Sequence, residues 1–406
     1  MRAGRVVAAL IVASCVACTA SPTPPPSTPA PAQSIDHASA TAEEALRQAA
    51  RAGNTARALE LIKAGVDVNA KDGGRESAYL LAASERAPDI LEATLAAGAG
   101  INDKDSWNGT ALIRAAERGE PWIVGRLLRA GIDRDHVNRI GYQAIHESIW
   151  LGRDTDAYAD TVRVLVAGGV QLDRPSVNEG LTPLAMADQL GFASAAATLR
   201  RAADAARLTT SNADVALVAA IEQADADAAS LALRAGASLE HRDAQGRTPL
   251  LQAVTRDRVA VIRLLVCLGA DTNAVDDRLD TPWLATGVTG SVAALEALLP
   301  GKPDLRIRNR FGGVSVIPAS ERGHVEYVRR VVQTGIDVNH VNNLGWTALL
   351  EAVILGDDAE RYQQVVRILL EAGADPKLGD ADGVRPLQHA RNRGLTEVAR
   401  ILESAD

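Results

Sequence analysis

Gly246-Arg247-Thr248-Pro249-Leu250 decides the fold, because its place in the chain recurs. The matching positions fall at Leu279, Gly312 and Gly345, each 33 residues further on. An apolar run then leads to a Gly-containing turn, as in Leu264-Leu265-Val266-Cys267-Leu268-Gly269-Ala270-Asp271-Thr272-Asn273. Thr248 can cap a helix through its hydroxyl, and Pro249 suits the next position, where no intrahelical donor is needed. Gly269 can end a second helix in the left-handed conformation, and Asp271 and Asn273 can supply hydrogen bonds to the following turn. Self-similarity at this period predicts a stacked array whose units touch only their neighbours. Such an array is more often a binding surface than a reaction vessel.

The phrase resembles the ankyrin repeat, a β-turn followed by two antiparallel helices with T-P-L-H-x-A at the start of the first. The resemblance implies an all-α solenoid of about eleven helix-turn-helix units with short β-turn or hairpin connections. Eleven units fit from about residue 41 onward, with their leucine-equivalent positions at Leu46, Tyr79, Leu112, Ile145, Leu184, Leu217, Leu250, Trp283, Val316, Leu349 and Leu387. Thr-Pro-Leu is intact at 182–184 and 248–250 and becomes Thr-Pro-Trp at 281–283. His146 holds the histidine place, but with Gln143 where threonine belongs, so the usual Thr–His contact is lost there. Pro318 falls inside a first helix and is expected to distort it.

A second periodicity lies above the first. Gly131-Ile132-Asp133 and His136-Val137-Asn138 return as Gly335-Ile336-Asp337 and His340-Val341-Asn342, 204 residues later. Gly152 to Gly169 and Gly356 to Gly373 are stretched alike, 17 residues each. A five-repeat block has been duplicated, with an additional repeat near Leu217 between the copies. The blocks are assigned to residues 41–204 and 205–406. Ala203 stands where a turn glycine is expected, so a weak or bent seam is anticipated within one continuous stack. At about 8–10 Å per layer, eleven repeats would make a curved rod on the order of 100 Å long.

The N-terminus reads differently. Arg2 and Arg5 precede an apolar stretch from Val6 to Ala17, too short to span a bilayer and built like a signal peptide. Val12-Ala13-Ser14-Cys15 resembles a bacterial lipobox, with Cys18 as the rival acylation site and simple cleavage near Ala20 as the alternative. Signal and lipobox are assigned to 1–18 and a disordered Pro/Ser/Thr-rich linker to 19–40; Ser21 to Ser34 favours extended chain. These features predict export and a lipid anchor in the membrane, at the periplasmic or outer face of the cell envelope. Cys267 lies in an apolar run and is expected to be a small core residue.

Formal net charge of −8 argues against a general nucleic-acid binder. No HExxH, GxSxG, P-loop or paired CxxC pattern occurs, so no catalytic residue, cofactor or metal is expected. His136 and His340 are expected to bond to backbone. Asp154, Asp156, Asp160 and Tyr158, with Asp357, Asp358, Glu360 and Tyr362, invite a calcium reading, but acids at the start of a lengthened second helix are the preferred one.

In ankyrin-like stacks the turn tips and the first residues of the first helix line a concave face that commonly carries recognition. Trp107, Ile140 and Tyr142 occupy such places in the first block, and Phe311, Leu344 and Trp346 in the second. They are candidate partner-binding residues; the alternative is that the rings cover neighbouring turns and seal the stack. Arg306, Arg308 and Arg310 form a basic strip whose first-block counterparts are Asn102, Lys104 and Ser106. It could receive an acidic partner, or pair with nearby acids such as Asp276 and Asp277. The expectation is a monomeric, non-catalytic scaffold that binds another protein. A second expectation, drawn from the layout of some exported bacterial ankyrin proteins, is an accessory role in catalase-associated oxidative-stress defence.

Overall fold

The computed structural model describes residues 36–205 and 212–405. The leader with Cys15 and Cys18, and the linker up to residue 35, lie outside the described residues; residues 36–40, expected to end the disordered linker, instead belong to a helix that runs from Asp36 to Arg51. Eleven helix pairs follow one another among the described residues. In the first block they are α1 (Asp36–Arg51) and α2 (Thr55–Lys63), α3 (Ala78–Ser84) and α4 (Pro88–Ala96), α5 (Ala111–Glu117) and α6 (Pro121–Arg129), α7 (Ala144–Trp150) and α8 (Asp156–Ala167), α9 (Pro183–Leu190) and α10 (Ala193–Ala205). The second block begins with the additional pair α11 (Ala213–Glu222) and α12 (Ala226–Arg234). It continues with α13 (Pro249–Thr255) and α14 (Val259–Cys267), α15 (Pro282–Thr289) and α16 (Val292–Leu298), α17 (Val316–Glu321) and α18 (Val325–Val331), α19 (Ala348–Leu355) and α20 (Glu360–Glu371), α21 (Pro386–Asn392) and α22 (Thr396–Glu403). No strand is formed among the described residues beyond one isolated bridge, Lys104 to Thr110. None of these helices is long and apolar enough to cross a membrane.

The repeat chemistry acts as its residues dictate. Ser77, Thr110, Thr182, Thr248, Thr281 and Thr347 each accept, through the side-chain oxygen, the backbone N–H three residues on, a cap worth about 1 kcal/mol. In the turns ahead of most first helices, an Asp or Asn oxygen accepts two backbone N–H groups. Asp276 takes those of Arg278 and Asp280 at 2.9 Å each, and Asn309 takes those of Phe311 and Gly313 at 2.9 Å each. Pro318 shortens α17 to six residues, and its first turn starts one position late. At Gln143 the backbone N–H donates instead to His146 Nδ1 at 3.4 Å. His136 and His340 donate through Nε2 to the carbonyls of Asn108 and Gly312, at 2.8 and 2.7 Å.

First helices pack in one series from α1 to α9 and in another from α11 to α21, with no comparable first-helix contact between α9 and α11, while second helix α12 meets α10 as well as α8 across the junction where a weak or bent seam was expected. Most leucine-equivalent residues are buried, but Leu184 and Leu387 are only half-buried, because each belongs to a unit with no first helix stacked on its far side. Instead the second block turns back. Helix α12 lies against α8, and α14 lies against both α6 and α8, so the second-helix faces of the two blocks meet.

Differences between the duplicated helices explain this. Helix α2 reads Thr-Ala-Arg-Ala-Leu-Glu-Leu-Ile-Lys, amphipathic and half solvated, whereas its copy α14 reads Val-Ala-Val-Ile-Arg-Leu-Leu-Val-Cys, apolar nearly all round. A helix apolar on every side must be covered on every side. Cys267 is buried there, its thiol pushed up to about 12 by that burial. Opposite it, Gly125 in α6 leaves room that no other residue would, since a Cβ at Gly125 would overlap the Cys267 carbonyl oxygen. The copies of Trp122 and Gly125 are Glu326 and Arg329, both exposed on α18. At the centre, Asp160, with its side chain 4% exposed, accepts from Arg163 at 2.9 Å and from Arg263 of the other block at 2.6 Å. Arg163 also reaches Asp227 at 2.7 Å. The copy of Asp160 in the second block, Gln364, bonds to Glu360 on its own helix.

Gly125→Arg, which installs the residue of the second copy, is therefore expected to separate the blocks while leaving each stack helical. Thiol labelling of the native protein, mapped to the Cys267 peptide, should accelerate at least about tenfold, and an unchanged rate would show that the contact does not bury Cys267.

Candidate functional site

The back-to-back arrangement leaves turn tips and first helices of both blocks outside. Trp107 is 60% exposed and Phe311 54%, with Ile140 and Leu344 exposed beside them. Neighbouring tips are tied by backbone bonds: the Arg139 N–H donates to the Trp107 carbonyl and the Asn343 N–H to the Phe311 carbonyl, at 2.9 Å each. Tip side chains therefore form a row along each block.

Tyr142 does not belong to the first row. It is 2% exposed, stacked on His146 with ring centroids 6.0 Å apart and tilted against Trp150 at 5.9 Å. Its N–H is held by Asn138 Oδ1 at 2.9 Å, and the chain two residues past the tip has already turned towards the first helix. Trp346, its copy, is half-buried for the same reason. At these two places the rings seal the stack. Sequence reasoning missed Val177 and Leu279, both well exposed at turn tips. Val177 follows Ile140 by 37 residues, across the stretched unit, so a fixed 33-residue step passes over it.

The basic strip is outside but not uniformly free. Arg306 holds Asp304 at 2.9 Å, and that pairing, with the Arg306 backbone N–H, pulls the Asp304 carboxyl down to about 2. Arg310 lies over the Phe311 ring, 4.3 Å from its centroid, and 3.7 Å from Asp280. Arg308 and Arg278 are exposed and form no ion pair among the described residues. Asp276, offered by the sequence as a partner for the strip, instead ties its own turn.

Beneath Phe311 runs a groove of about 390 Å³ between tips and first helices, bordered by Arg278, Asp280, Arg310 and Arg322, with Pro318 on its floor. A larger cleft of about 540 Å³ lies between the blocks, but Arg126 there is paired with Glu92 at 2.6 Å and Lys302 with Asp89 at 3.0 Å. Arg129 in that cleft lies across Gly269, whose φ of +93° needs no side chain in its way.

The acids of the stretched segments act within the fold. Asp358 accepts the N–H groups of Glu397 and Val398 at the start of α22, at 3.1 and 3.0 Å. Asp156 and Glu360 stand in the first turns of α8 and α20, and Asp154 bonds to Ser194. Asp357 accepts the Ala359 N–H at 2.9 Å. Tyr158 and Tyr362 donate to the carbonyls of Glu117 and Glu321 at 2.9 Å each, strapping the long helix to an earlier unit. No group of three or more His, Cys, Asp or Glu side chains among the described residues is placed to hold a metal ion.

A stack of two-helix units with side chains displayed along its turn tips defines a helical repeat protein of the recognition type. The chain belongs to the ankyrin repeat family. The family model for three ankyrin repeats matches residues 46–139 and 283–380, and the single-repeat model matches 245–277. The Escherichia coli ankyrin repeat protein YahD is 39% identical over 187 residues, covering 46% of this chain and 93% of YahD. The bovine mitochondrial disaggregase is 31% identical over 152 residues, 32% of this chain and 22% of that protein. A crystallised ankyrin repeat domain from Acinetobacter baumannii is 45% identical and covers 47% of this chain and 96% of that one, with a TM-score of 0.45. Ankyrin repeats generally mediate protein–protein interaction.

Two buried acids sit behind the tips as a matched pair. Glu147 accepts from Asn138 Nδ2 at 2.6 Å and Glu351 from Asn342 Nδ2 at 2.9 Å. Burial raises each carboxyl from 4.5 to about 7, and Glu321 adds to the rise at Glu351. Because the folded value exceeds the unfolded one, the native state holds the proton more tightly. The contribution of these two acids to stability is fully present below about 4.5 and is lost as pH rises through about 7. Glu351→Gln, which keeps the acceptor for Asn342, should stabilise the protein at pH 8 by on the order of 1–3 kcal/mol and change little at pH 4.5. Urea unfolding at the two pH values checks this; equal effects at both would show that Glu351 is not protonated in the fold.

Proposed function

We propose that this protein is a non-catalytic scaffold that binds a partner protein on its turn-tip and concave faces and is held by a lipidated N-terminus at the cell envelope. The observation that carries the binding half is the row of large apolar side chains left exposed at successive tips of both blocks. Water-facing Trp and Phe at ordered tips are costly unless something covers them, and exposed apolar clusters on soluble proteins tend to be contact surfaces. Envelope location rests on the charged start, short apolar stretch, two closely spaced cysteines and proline-rich segment of residues 1–34.

Trp107→Ala combined with Phe311→Ala should abolish co-purification of the partner from the native host, with thermal unfolding unchanged because both rings stand in solvent. Unaltered partner recovery would remove the tip rows from the interface. Intact-mass analysis of the membrane-extracted protein should give a diacylglyceryl-modified mature chain starting at Cys15 or Cys18; an unmodified chain starting near Ser21 would sink the anchor.

A further inference from the structure

The two copies of the block differ at the place where the second carries its groove. In the first, Arg114 of α5 stands at the position of Pro318 and is gripped by Asp105 at 2.7 Å through Nε and by Glu117 at 3.0 Å. Asp105 has two jobs: one oxygen takes the N–H groups of Trp107 and Gly109, at 2.7 and 2.8 Å, and the other holds Arg114. In the second copy, 204 residues on, Arg114 has become Pro318 and Asp105 has become Asn309. Asn309 keeps the first job through its amide oxygen, so the turn is unchanged, and it has no carboxylate for the second. The plug is gone, Glu321 is left to its neighbour Arg322 at 2.6 Å, and a groove of about 390 Å³ opens over Pro318.

What was lost inside was replaced at the rim. Gly74 and Ser106 of the first block correspond to Arg278 and Arg310. The groove thereby passes from an excess of acids to an excess of arginines, in a chain whose net charge is −8. Arg278 has no ion-pair partner among the described residues, and Arg310 lies over the exposed Phe311 ring, 4.3 Å from its centroid. The arginines alternate with Asp276, Asp280 and Glu321. A phosphate chain, anionic at every step, would meet repulsion at those acids. A peptide with spaced carboxylates would not, since its apolar and amide groups can pass them.

We propose that the second-block groove binds an extended acidic segment of a partner protein, its carboxylates taken by Arg278 and Arg310 and an apolar side chain between them seated on Phe311 above Pro318. This deepens, and rests on, the reading of the concave face as protein-binding; the first block, plugged by Arg114, does not share the specificity.

The test uses the full chain and a fluorescein-labelled peptide in which glutamate alternates with leucine, followed by fluorescence anisotropy. Expected are saturable binding that weakens with salt, and at least about tenfold weaker binding when serine replaces glutamate. Replugging the groove with Asn309→Asp and Pro318→Arg, both residues taken from the first block, should weaken binding at least about tenfold with helicity intact. Should that pair fail to fold, Arg278→Ala with Arg310→Ala, both outside the core, should give the same loss. Leu59→Ala, on the solvated face of α2, should leave the affinity unchanged. Equal binding of the serine peptide, insensitivity to a folded replugged variant and to the arginine pair, or tighter binding of an oligothymidylate would each overturn the proposal. If it alone fails, partner capture remains sensitive to Trp107→Ala; if scaffolding itself fails, no tip substitution changes capture.

Discussion

Everything else in the molecule depends on the contact between α14 and the pair α6 and α8. Each block is a run of local units that could stack indefinitely, and nothing inside a unit says where to turn. Two features make the turn. Helix α14 is apolar on the side that a second helix normally shows to water, and Gly125 lets its backbone approach α6. A glycine in a helix interior costs about 1 kcal/mol against alanine, and it is tolerated here because any side chain would meet the Cys267 carbonyl. Asp160 then fixes the approach. It is buried between Arg163 and Arg263, and removing it would strand the Arg263 guanidinium in the seam and leave Arg163 with Asp227 alone.

Where α6, α8, α12 and α14 cover one another, the opposite sides of both blocks are left for recognition. Trp107 and Phe311 are related by duplication, yet they stand on blocks whose neighbouring grooves differ. The Arg114 clamp closes one and the Pro318 floor opens the other. The exchange of Asp105 for Asn309 could occur without harm to the turn because backbone N–H groups need only an oxygen, whereas a guanidinium needs a charge.

How much of this was legible in the sequence follows from how far each interaction reaches. Thr248, Pro249 and Gly269 act on residues within one turn of themselves, so helix starts and ends could be read from local chemistry. The core positions Leu112, Trp283 and Leu349 follow from the period alone, and each is buried. Tyr142 went wrong because a two-residue difference in a turn reverses the direction of a side chain, which a 33-residue count does not register. The folded-back seam was missed although its signs were present. Comparing second helices between copies, Lys63 against Cys267 and Arg329 against Gly125, would have marked α6 and α14 as covered on an unexpected side. Pro318 was read as a local distortion of α17; that it also unplugs a groove depends on Arg114, whose partner Asp105 is across the turn.

The seam also sets two tiers of folding. Within a block, helices meet partners about one repeat away, a low-contact-order arrangement that closes quickly and can begin at any unit. The bonds across the seam join Asp160 to Arg263 and Asp89 to Lys302, separated by 103 and 213 residues. The loop-closure cost of those pairs is met only after both stacks exist, so docking comes last and carries its own rate. A first block that folds ahead of the second therefore shows its α6 and α8 face bare, α8 until α12 packs on it and α6 until α14 does.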